Sequence, residues 1–286
     1  MIKSPLRYPG GKSRAVKFLQ RFIPPFSEFR EPLFGGGSFS IYMVQKYPTR
    51  IFKASDINYD LFCFWNELKS NSENMINEIY KVYEIEKNGR RLFDSIMKKR
   101  NDDLTSLQRA VDFFLLNRIT FSGVVDSGGY SEQAFQKRFT KSSIERLKST
   151  SKIIQNIEFS HTDYSALLEE HGNDVFIFLD PPYYSATKSK LYGKNGNLHV
   201  NFDHELFFQK LNSCTFNWLI TYDNSEFVKE LYKDYFIIEW QLQYGMNNYK
   251  KKNSAKGEEL LIANYDLKEV ENLNVNLQSA LFSENV

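Results

Sequence analysis

The chain has 286 residues, of which 42% are hydrophobic, 16% aromatic and 25% charged, and this composition excludes intrinsic disorder and low complexity. Its 37 basic and 35 acidic residues leave a net charge of +2, which does not indicate a nucleic-acid partner and does not exclude a locally basic face. The length suits one large α/β domain, or a core domain that carries a smaller insert.

The first seventy residues alternate between loops, helices and strands. A loop rich in Pro and Gly covers residues 4–13, and apolar residues at helical spacing over residues 16–23 predict a helix that ends at Pro24-Pro25. A strand near residues 29–33 leads into a glycine loop, a helix begins around Ser38, and a strand over residues 50–55 ends at Asp56. This order predicts the opening of a doubly wound α/β sheet.

The middle of the chain has a different character. Residues 71–151 are rich in polar helix formers and poor in strand signals, which predicts a mostly helical insert. Strand signals then return, with candidates at residues 157–160, 175–179, 216–221, 235–242 and 259–263, and the last two read as a long hairpin. We therefore predict a core domain formed by residues 1–70 and 152–286, with residues 71–151 inserted into it.

A glycine loop, Phe34-Gly35-Gly36-Gly37-Ser38, follows the first predicted strand and precedes a helix. Glycines in this place let backbone N–H groups approach a ligand closely at a helix N-terminus. Asp56 ends the next strand, where a carboxylate accepts hydrogen bonds from ribose hydroxyls and repels a ribose phosphate. The third glycine of the dinucleotide fingerprint is replaced by Ser40, which disfavours a Rossmann-type oxidoreductase. The pattern predicts a nucleoside-type cofactor.

The sharpest signal is Asp180-Pro181-Pro182-Tyr183, which follows the most strand-like run of the chain. In open α/β sheets, ligands bind at the carboxyl ends of strands. Two prolines stiffen the backbone and remove its donors, so that carbonyls and the carboxylate remain as acceptors beside a flat aromatic ring. Such a pocket suits a planar ligand that bears an exocyclic amino group.

Cysteines, histidines, basic clusters and apolar runs say less about the function of this chain. Cys63 and Cys214 are far apart, and the four histidines have no metal-ligand spacing, so we expect neither a disulfide framework nor a metal site. Basic and aromatic residues mix around Arg118 and Arg138 and at residues 188–197, and three lysines follow one another at residues 250–252. Such loops can hold phosphates and stack bases, while a solvated basic face explains any one of them better when it is taken alone. No apolar run is long enough to span a bilayer, so we expect a soluble protein of a reducing compartment such as the cytoplasm.

Taken in order, these segments resemble the Dam-like DNA adenine-N6 methyltransferases, which use S-adenosylmethionine. The resemblance covers roughly residues 6–265 and includes the segment from Leu6 to Lys12, the glycine loop, Asp56-Ile57, Asp163-Tyr164 and the Asp180 motif. Phe121-Ser122-Gly123 stands where many members have Phe/Tyr-Asn-Gly, and residues 256–261 resemble the final strand signature. The resemblance implies a Rossmann-like class I methyltransferase sheet in which residues 71–151 form a DNA target-recognition domain.

The resemblance also implies roles for individual residues. Those implied to be catalytic are Asp180, Pro181, Pro182 and Tyr183. Those implied to bind the cofactor are Tyr8, Lys12, Phe34, Gly35, Gly36, Gly37, Ser38, Asp56, Ile57, Asp163, Tyr164 and Asp180. Those implied to contact double-stranded DNA are Arg7, Asn117, Arg118, Phe121, Ser122, Gly123 and Arg138, with Arg118 or Arg138 as the reader of a guanine. A cognate restriction endonuclease is the other implied partner.

The expected chemistry is methylation of a flipped adenine. The Asp180 carboxylate and the Pro181 carbonyl accept the two N6 hydrogens and so favour a nitrogen with a localised lone pair, while Tyr183 stacks on the base. Two alternatives remain open from the residues alone. One is an RNA or protein-amide methyltransferase on the same scaffold, and the other is a catalytically silent DNA-binding module.

Overall fold

A computed structural model describes residues 1–184, 202–242 and 257–283, and its centre is a seven-stranded sheet. The strands are β1 (Glu28–Glu31), β2 (Ile51–Ser55), β3 (Ile157–Ser160), β4 (Val175–Leu179), β5 (Asn217–Asp223), β6 (Phe236–Leu242) and β7 (Gly257–Ala263). Their spatial order is β3-β2-β1-β4-β5-β7-β6, and β7 is antiparallel to both of its neighbours while the other paired strands are parallel. This sheet confirms the predicted Rossmann-like class I methyltransferase fold.

The central strand β4 shows why the sequence folds this way. All five of its residues are buried, as expected for a parallel strand that is covered on both faces. The strand order reverses between β1 and β4, so a crevice forms beyond their carboxyl ends. The predicted hairpin is confirmed by the antiparallel pairing of β6 with β7. Residues 188–197 and 250–252, two of the predicted basic patches, lie outside the described residues.

Helices cover both faces of the sheet. They are α1 (Val16–Leu19), α2 (Ser38–Lys46), α3 (Tyr59–Ser70), α9 (Tyr164–Glu169), α10 (His204–Asn212), α11 (Glu226–Leu231) and α12 (Leu267–Ser283). The single helix predicted over residues 16–23 is divided into α1 and a following 3₁₀ turn, Gln20–Phe22. The backbone at the junction, Leu19 and Gln20, stays right-handed helical, so the 3₁₀ turn is a tightened last turn before the chain becomes extended at Ile23.

The middle of the chain is mostly helical, as predicted. It contains α4 (Ser72–Ile85), α5 (Gly89–Lys99), α6 (Ser106–Ile119), α7 (Glu132–Arg138) and α8 (Lys141–Ile153). Helix α6 is buried on all sides over its last ten residues and packs against α3, where the parallel rings of Phe64 and Phe114 lie 6.2 Å apart. The hydrophobic core is therefore continuous from the sheet into these helices. The domain boundaries at residues 70/71 and 151/152 stay a prediction.

Candidate functional site

A cavity of about 640 Å³ opens at the carboxyl ends of β1, β2 and β4. This volume suits a ligand of cofactor size. Every residue predicted to be catalytic or to bind a cofactor lines it, namely Tyr8, Lys12, Phe34, Gly35, Gly36, Gly37, Ser38, Asp56, Ile57, Asp163, Tyr164, Asp180, Pro181, Pro182 and Tyr183. The structure thus brings together segments that are as much as 175 residues apart, from Tyr8 to Tyr183.

The glycine loop forms one wall of the cavity between β1 and α2. Gly35 and Gly37 have φ angles of +50° and +62°, in the left-handed region that favours glycine. A Cβ atom on Gly36 would lie only 2.5 Å from the Cβ of Tyr8. The loop therefore needs glycine both for its backbone conformation and for its close approach to the Tyr8 side chain.

Asp56 holds this loop from the end of β2. Its carboxylate accepts a hydrogen bond from the backbone N–H of Gly35 at 2.9 Å and another from that of Asn58 at 2.9 Å. Burial raises the pKa of this carboxyl, and the two backbone hydrogen bonds oppose that change. Asp56 is thus an acceptor that shapes the loop and lines the cavity at once.

Asp180 follows the last residue of β4, is partly exposed to the cavity and forms an ion pair with the buried Lys12. Its Oδ1 lies 2.7 Å from Lys12 Nζ and accepts a hydrogen bond from the Thr221 hydroxyl at 2.7 Å. Lys12 is only 3% exposed, and it also donates to the Gly10 carbonyl at 3.0 Å and to the Tyr183 hydroxyl at 3.1 Å. The Lys12 ammonium group has three N–H donors, and each has an acceptor in one of these three partners. The position of Lys12 relative to Asp180 is therefore well defined.

Tyr183 is held by a second carboxylate, Glu259 of β7. The Tyr183 hydroxyl donates to Glu259 Oε1 at 2.6 Å, and burial raises the pKa of that hydroxyl well above its usual value. Glu259 is 1% exposed, and burial raises the pKa of its carboxyl to about 7. Its Oε2 is buried and has no hydrogen-bond partner among the described residues. The site thus includes a carboxyl group that is partly neutral near pH 7.

Glu31, at the end of β1, is another buried carboxyl beside the ion pair. It accepts hydrogen bonds from the backbone N–H of Ser40 at 3.0 Å and from the Ser40 hydroxyl, and so caps the first turn of α2. Burial raises the pKa of Glu31 to about 8, with a smaller contribution in the same direction from Asp180. Glu31 is therefore protonated for the most part at neutral pH.

Sequence reasoning missed Glu259, Thr221 and Glu31 as members of this site. Glu259 lies in the strand signature that was recognised, but it received no role there. An acidic residue at the start of the buried run Leu260-Leu261-Ile262 was the available signal, because an ionisable group in a buried strand needs a specific partner. Thr221 carries no comparable signal, since β5 would accept any β-branched residue at that position.

The residues predicted to contact DNA lie in two environments. Asn117 is fully buried and Arg118 is 4% exposed, so in this conformation neither side chain reaches the surface. Both side chains are buried because the last turns of α6 are buried on all sides. That they contact DNA, and that Arg118 reads a guanine, stays a prediction.

The remaining predicted DNA contacts lie around the turn that follows α6 and on α7. Phe121 is 72% exposed, and Ser122 has a φ of +57°, which is rare for a residue other than glycine. Gly123 is buried against the Arg7 carbonyl, and Thr120 forms an isolated antiparallel bridge with Tyr130. Arg138 is exposed at the end of α7. The turn thus presents an aromatic ring beside basic residues.

In the described parts of the chain, no helix is both long and apolar enough to cross a membrane.

Comparison with known proteins agrees with the geometry of the cavity. The sequence model of the D12 class N6 adenine-specific DNA methyltransferase family matches residues 8–246. The Type II methyltransferase M.MjaIII of Methanocaldococcus jannaschii is 24% identical over 92% of this chain and 99% of its own length. The DNA adenine methylase of Vibrio cholerae is 27% identical over 62% of this chain and 64% of its own. The DNA N-6-adenine-methyltransferase of Escherichia phage P1 is 24% identical over 63% of this chain and 24% of its own. The family model spans most of the chain, and the chain therefore belongs to the D12 class of N6 adenine-specific DNA methyltransferases.

Proposed function

We propose that this protein transfers a methyl group from S-adenosylmethionine to N6 of an adenine flipped out of double-stranded DNA. The observation that carries the proposal is the position of Asp180-Pro181-Pro182-Tyr183. The motif ends the central strand and opens into the same cavity as the glycine loop and Asp56. An acceptor for an amino group and a pocket for a nucleoside cofactor are thus adjacent.

The residues of the cavity suit S-adenosylmethionine. Asp56 offers carboxylate oxygens to ribose hydroxyls, and the negative charge there disfavours a cofactor with a ribose phosphate. Asp163 and Tyr164 line the same cavity and are our candidates for contacts to the cofactor adenine, with Phe34, Ile57 and Ser38. When bound, S-adenosylmethionine supplies a methyl group that its sulfonium already activates.

The hydrogen bonds of Asp180 prepare it to accept from the substrate. Its contacts to Lys12 and Thr221 both involve Oδ1, so that, among the described residues, Oδ2 is open to an N6 hydrogen of adenine. The Pro181 carbonyl accepts the other N6 hydrogen. These acceptors favour a tetrahedral nitrogen with a localised lone pair. They stabilise the transition state more than the ground state, in which the amino group is still planar. Tyr183 offers its ring for stacking while its hydroxyl is held by Glu259.

For the DNA, we propose that the exposed surface of residues 71–151 is the target-recognition region. Arg7 and Arg138 are close enough for the charge of Arg138 to lower the pKa of Arg7, after the larger effect of burial. Arg146, exposed on α8, belongs to the same basic cluster, because its charge acts on Arg118 as that of Arg138 does. Arginines that form no ion pair with a described residue are suited to binding backbone phosphates. The exposed ring of Phe121, with the neighbouring Ser122, suits contact with the bases, and the buried Gly123 shapes the turn that presents them.

The substrate implies the remaining proposals. A protein that modifies cellular DNA acts in the cytoplasm of a bacterium or archaeon, including one infected by a phage. A cognate restriction endonuclease is the partner that we propose, and methylation at the recognition site should then block cleavage by that enzyme.

The experiment is long-read sequencing of DNA from a methylation-deficient host that expresses this protein. We expect modified adenines in one short sequence motif, and none with the Asp180→Ala variant at equal expression. If the protein is folded and binds S-adenosylmethionine but modifies neither this DNA nor a library of DNA sequences in vitro, the DNA substrate is wrong. Methyl transfer from labelled cofactor to RNA or to a protein amide would then identify the substrate.

A further inference from the structure

The end of helix α6 holds the N-terminal segment of the chain. Asn117 accepts a hydrogen bond from the Arg7 backbone N–H at 3.0 Å and donates to the Arg7 carbonyl at 2.7 Å and to the Gly123 carbonyl at 2.9 Å. The Arg118 guanidinium donates to the Pro5 carbonyl and, at 3.0 Å, to the side-chain oxygen of Asn117. We call the Asn117 and Arg118 side chains, with these backbone partners, the clamp.

The clamped segment leads directly into the cavity. Tyr8 follows Arg7, and its ring lies against Gly35, where an added Cβ atom would be 2.8 Å from the ring. The Tyr8 carbonyl accepts a hydrogen bond from the Gly11 N–H at 3.1 Å, so the turn that ends at Lys12 is compact. The backbone position of Arg7 therefore sets the positions of Tyr8 and Lys12, which line the cavity.

A second connection joins the turn after α6 to the cavity. The Asn58 side chain donates to the Asp126 carboxylate at 3.1 Å, and Asp126 also pairs with Arg100 of the helical region. The Asn58 backbone is in turn hydrogen-bonded to Asp56. The loop that presents Phe121 is thus attached to the cavity near Arg7 and again near Asp56.

The burial of the clamp argues against a role that needs a solvent-exposed side chain. Gly123 packs so closely that an added Cβ atom would lie 2.5 Å from the Arg7 carbonyl oxygen, and its φ of +77° favours glycine as well. Burial of a guanidinium is costly unless it makes specific hydrogen bonds. In Arg118 the Nη2 atom donates both of these bonds to the chain itself, while Nε is buried without a hydrogen-bond partner among the described residues. Part of the guanidinium thus already has a structural target.

We infer that Asn117 and Arg118 are positioning residues for the cofactor pocket, through which the helical region holds Tyr8 and Lys12 in place. The inference rests on the proposed function, since it concerns the same cavity. It also implies that binding at the DNA-reading loop and binding in the cavity are energetically coupled, because the same loop is attached to both.

The test is the affinity for S-adenosylmethionine without DNA, measured by calorimetry on wild type, Asn117→Ala and the control Asn77→Ala. Asn77 is exposed on α4. We expect Asn117→Ala to weaken cofactor binding about tenfold, because three hydrogen bonds that hold Arg7 and Gly123 are lost, and Asn77→Ala to leave it unchanged. In steady-state assays KM for the cofactor should rise by a larger factor than kcat falls, because the clamp acts on the cofactor pocket first and on Asp180 only through Lys12.

Each other outcome is decisive. Wild-type cofactor affinity in Asn117→Ala, with weaker DNA binding, would overturn the inference and restore Asn117 as a DNA contact. A lower melting temperature with unchanged cofactor affinity would also overturn it, since the residue would then only stabilise the fold. If Asn117→Ala does not fold, Arg118→Met, which keeps the buried aliphatic stem, is judged by the same criteria. A wild-type protein that binds no cofactor would reject the proposed function itself and this inference with it.

Discussion

The short segment from Arg7 to Lys12 has its two ends in opposite electrostatic environments. At one end Lys12 is buried between carboxyl groups, with Asp180 at 2.7 Å and Glu31 and Glu259 nearby. At the other end Arg7 lies near Arg118 and Arg138, and Arg146 completes the cluster. None of these four arginines forms an ion pair with an acid that the structure describes.

The difference shows what each region is built to do. Paired charges in the cavity hold side chains in fixed positions, as catalysis by preorganised groups requires. Positive charges that have no ion-pair partner among the described residues repel one another. A polyanion that binds at the exposed members, Arg138 and Arg146, therefore relieves repulsion as well as adding contacts. Burial and the neighbouring arginines lower the pKa of Arg118 to about 9, which still leaves it charged at neutral pH.

The largest effect should come from the cavity. We expect Asp180→Ala to lower kcat by about 100- to 1000-fold, as loss of one preorganised electrostatic group does, while cofactor and DNA still bind. Single-turnover methyl transfer measures the effect, and Asp234→Ala, at an exposed position, is the control. Near-normal turnover in Asp180→Ala would remove Asp180 from the chemistry.

Next come the residues that hold Tyr183. Tyr183→Phe and Glu259→Gln should each lower kcat by about three- to tenfold, because each removes or weakens the hydrogen bond that fixes the ring. The double variant should be little worse than either single one, since both act on the same contact. Glu258→Gln, an exposed neighbour on β7, is the matched control. Fully additive effects would contradict a shared role.

The basic cluster should give a smaller and different response. Arg138→Ala should weaken DNA binding a few-fold for all sequences and reduce the slope of log affinity against log salt by about 1, as a phosphate contact does. Arg118→Ala should leave this slope unchanged, because the side chain is buried. Fluorescence anisotropy at several salt concentrations measures both variants. If Arg138→Ala instead relaxes selectivity at one base pair, this arginine reads a base.

The last prediction concerns stability and its dependence on pH rather than activity. Burial raises the pKa of Glu31 from 4.5 to about 8, so between these values the folded protein retains a proton that the unfolded chain has lost. The free energy of unfolding should therefore fall as pH rises through this window, by up to about 1.4 kcal/mol per pH unit. Glu31→Gln should lack this contribution and gain stability relative to wild type from pH 5 to pH 8. Melting temperatures that shift in parallel for both proteins would contradict it.

Much of the cavity was predictable because its parts are local in sequence. Asp56 and Asp180 each follow a predicted strand, and the glycine loop follows another. In a parallel sheet the carboxyl ends of such strands lie at one edge. Residues that directly follow these strands are therefore expected to lie close together in space, however far apart they are in the chain. Asn117 and Arg118 could not be placed in the same way. They lie on a helix, and the helical pattern alone does not say whether all of its faces are buried.

The sequence by itself determined the α/β sheet, and it determined that the cofactor and catalytic motifs meet at one edge of that sheet. Strand periodicity, glycine loops and proline-stiffened turns are local signals, each carried by a few neighbouring residues. Only the tertiary structure decided which polar side chains complete the site and which are buried. Thr221 and Glu259 reach the catalytic motif from strands 41 and 76 residues away, and Asn117 reaches Arg7 across 110 residues. Contacts of this range depend on how helices and strands pack, and no local pattern in the chain encodes them.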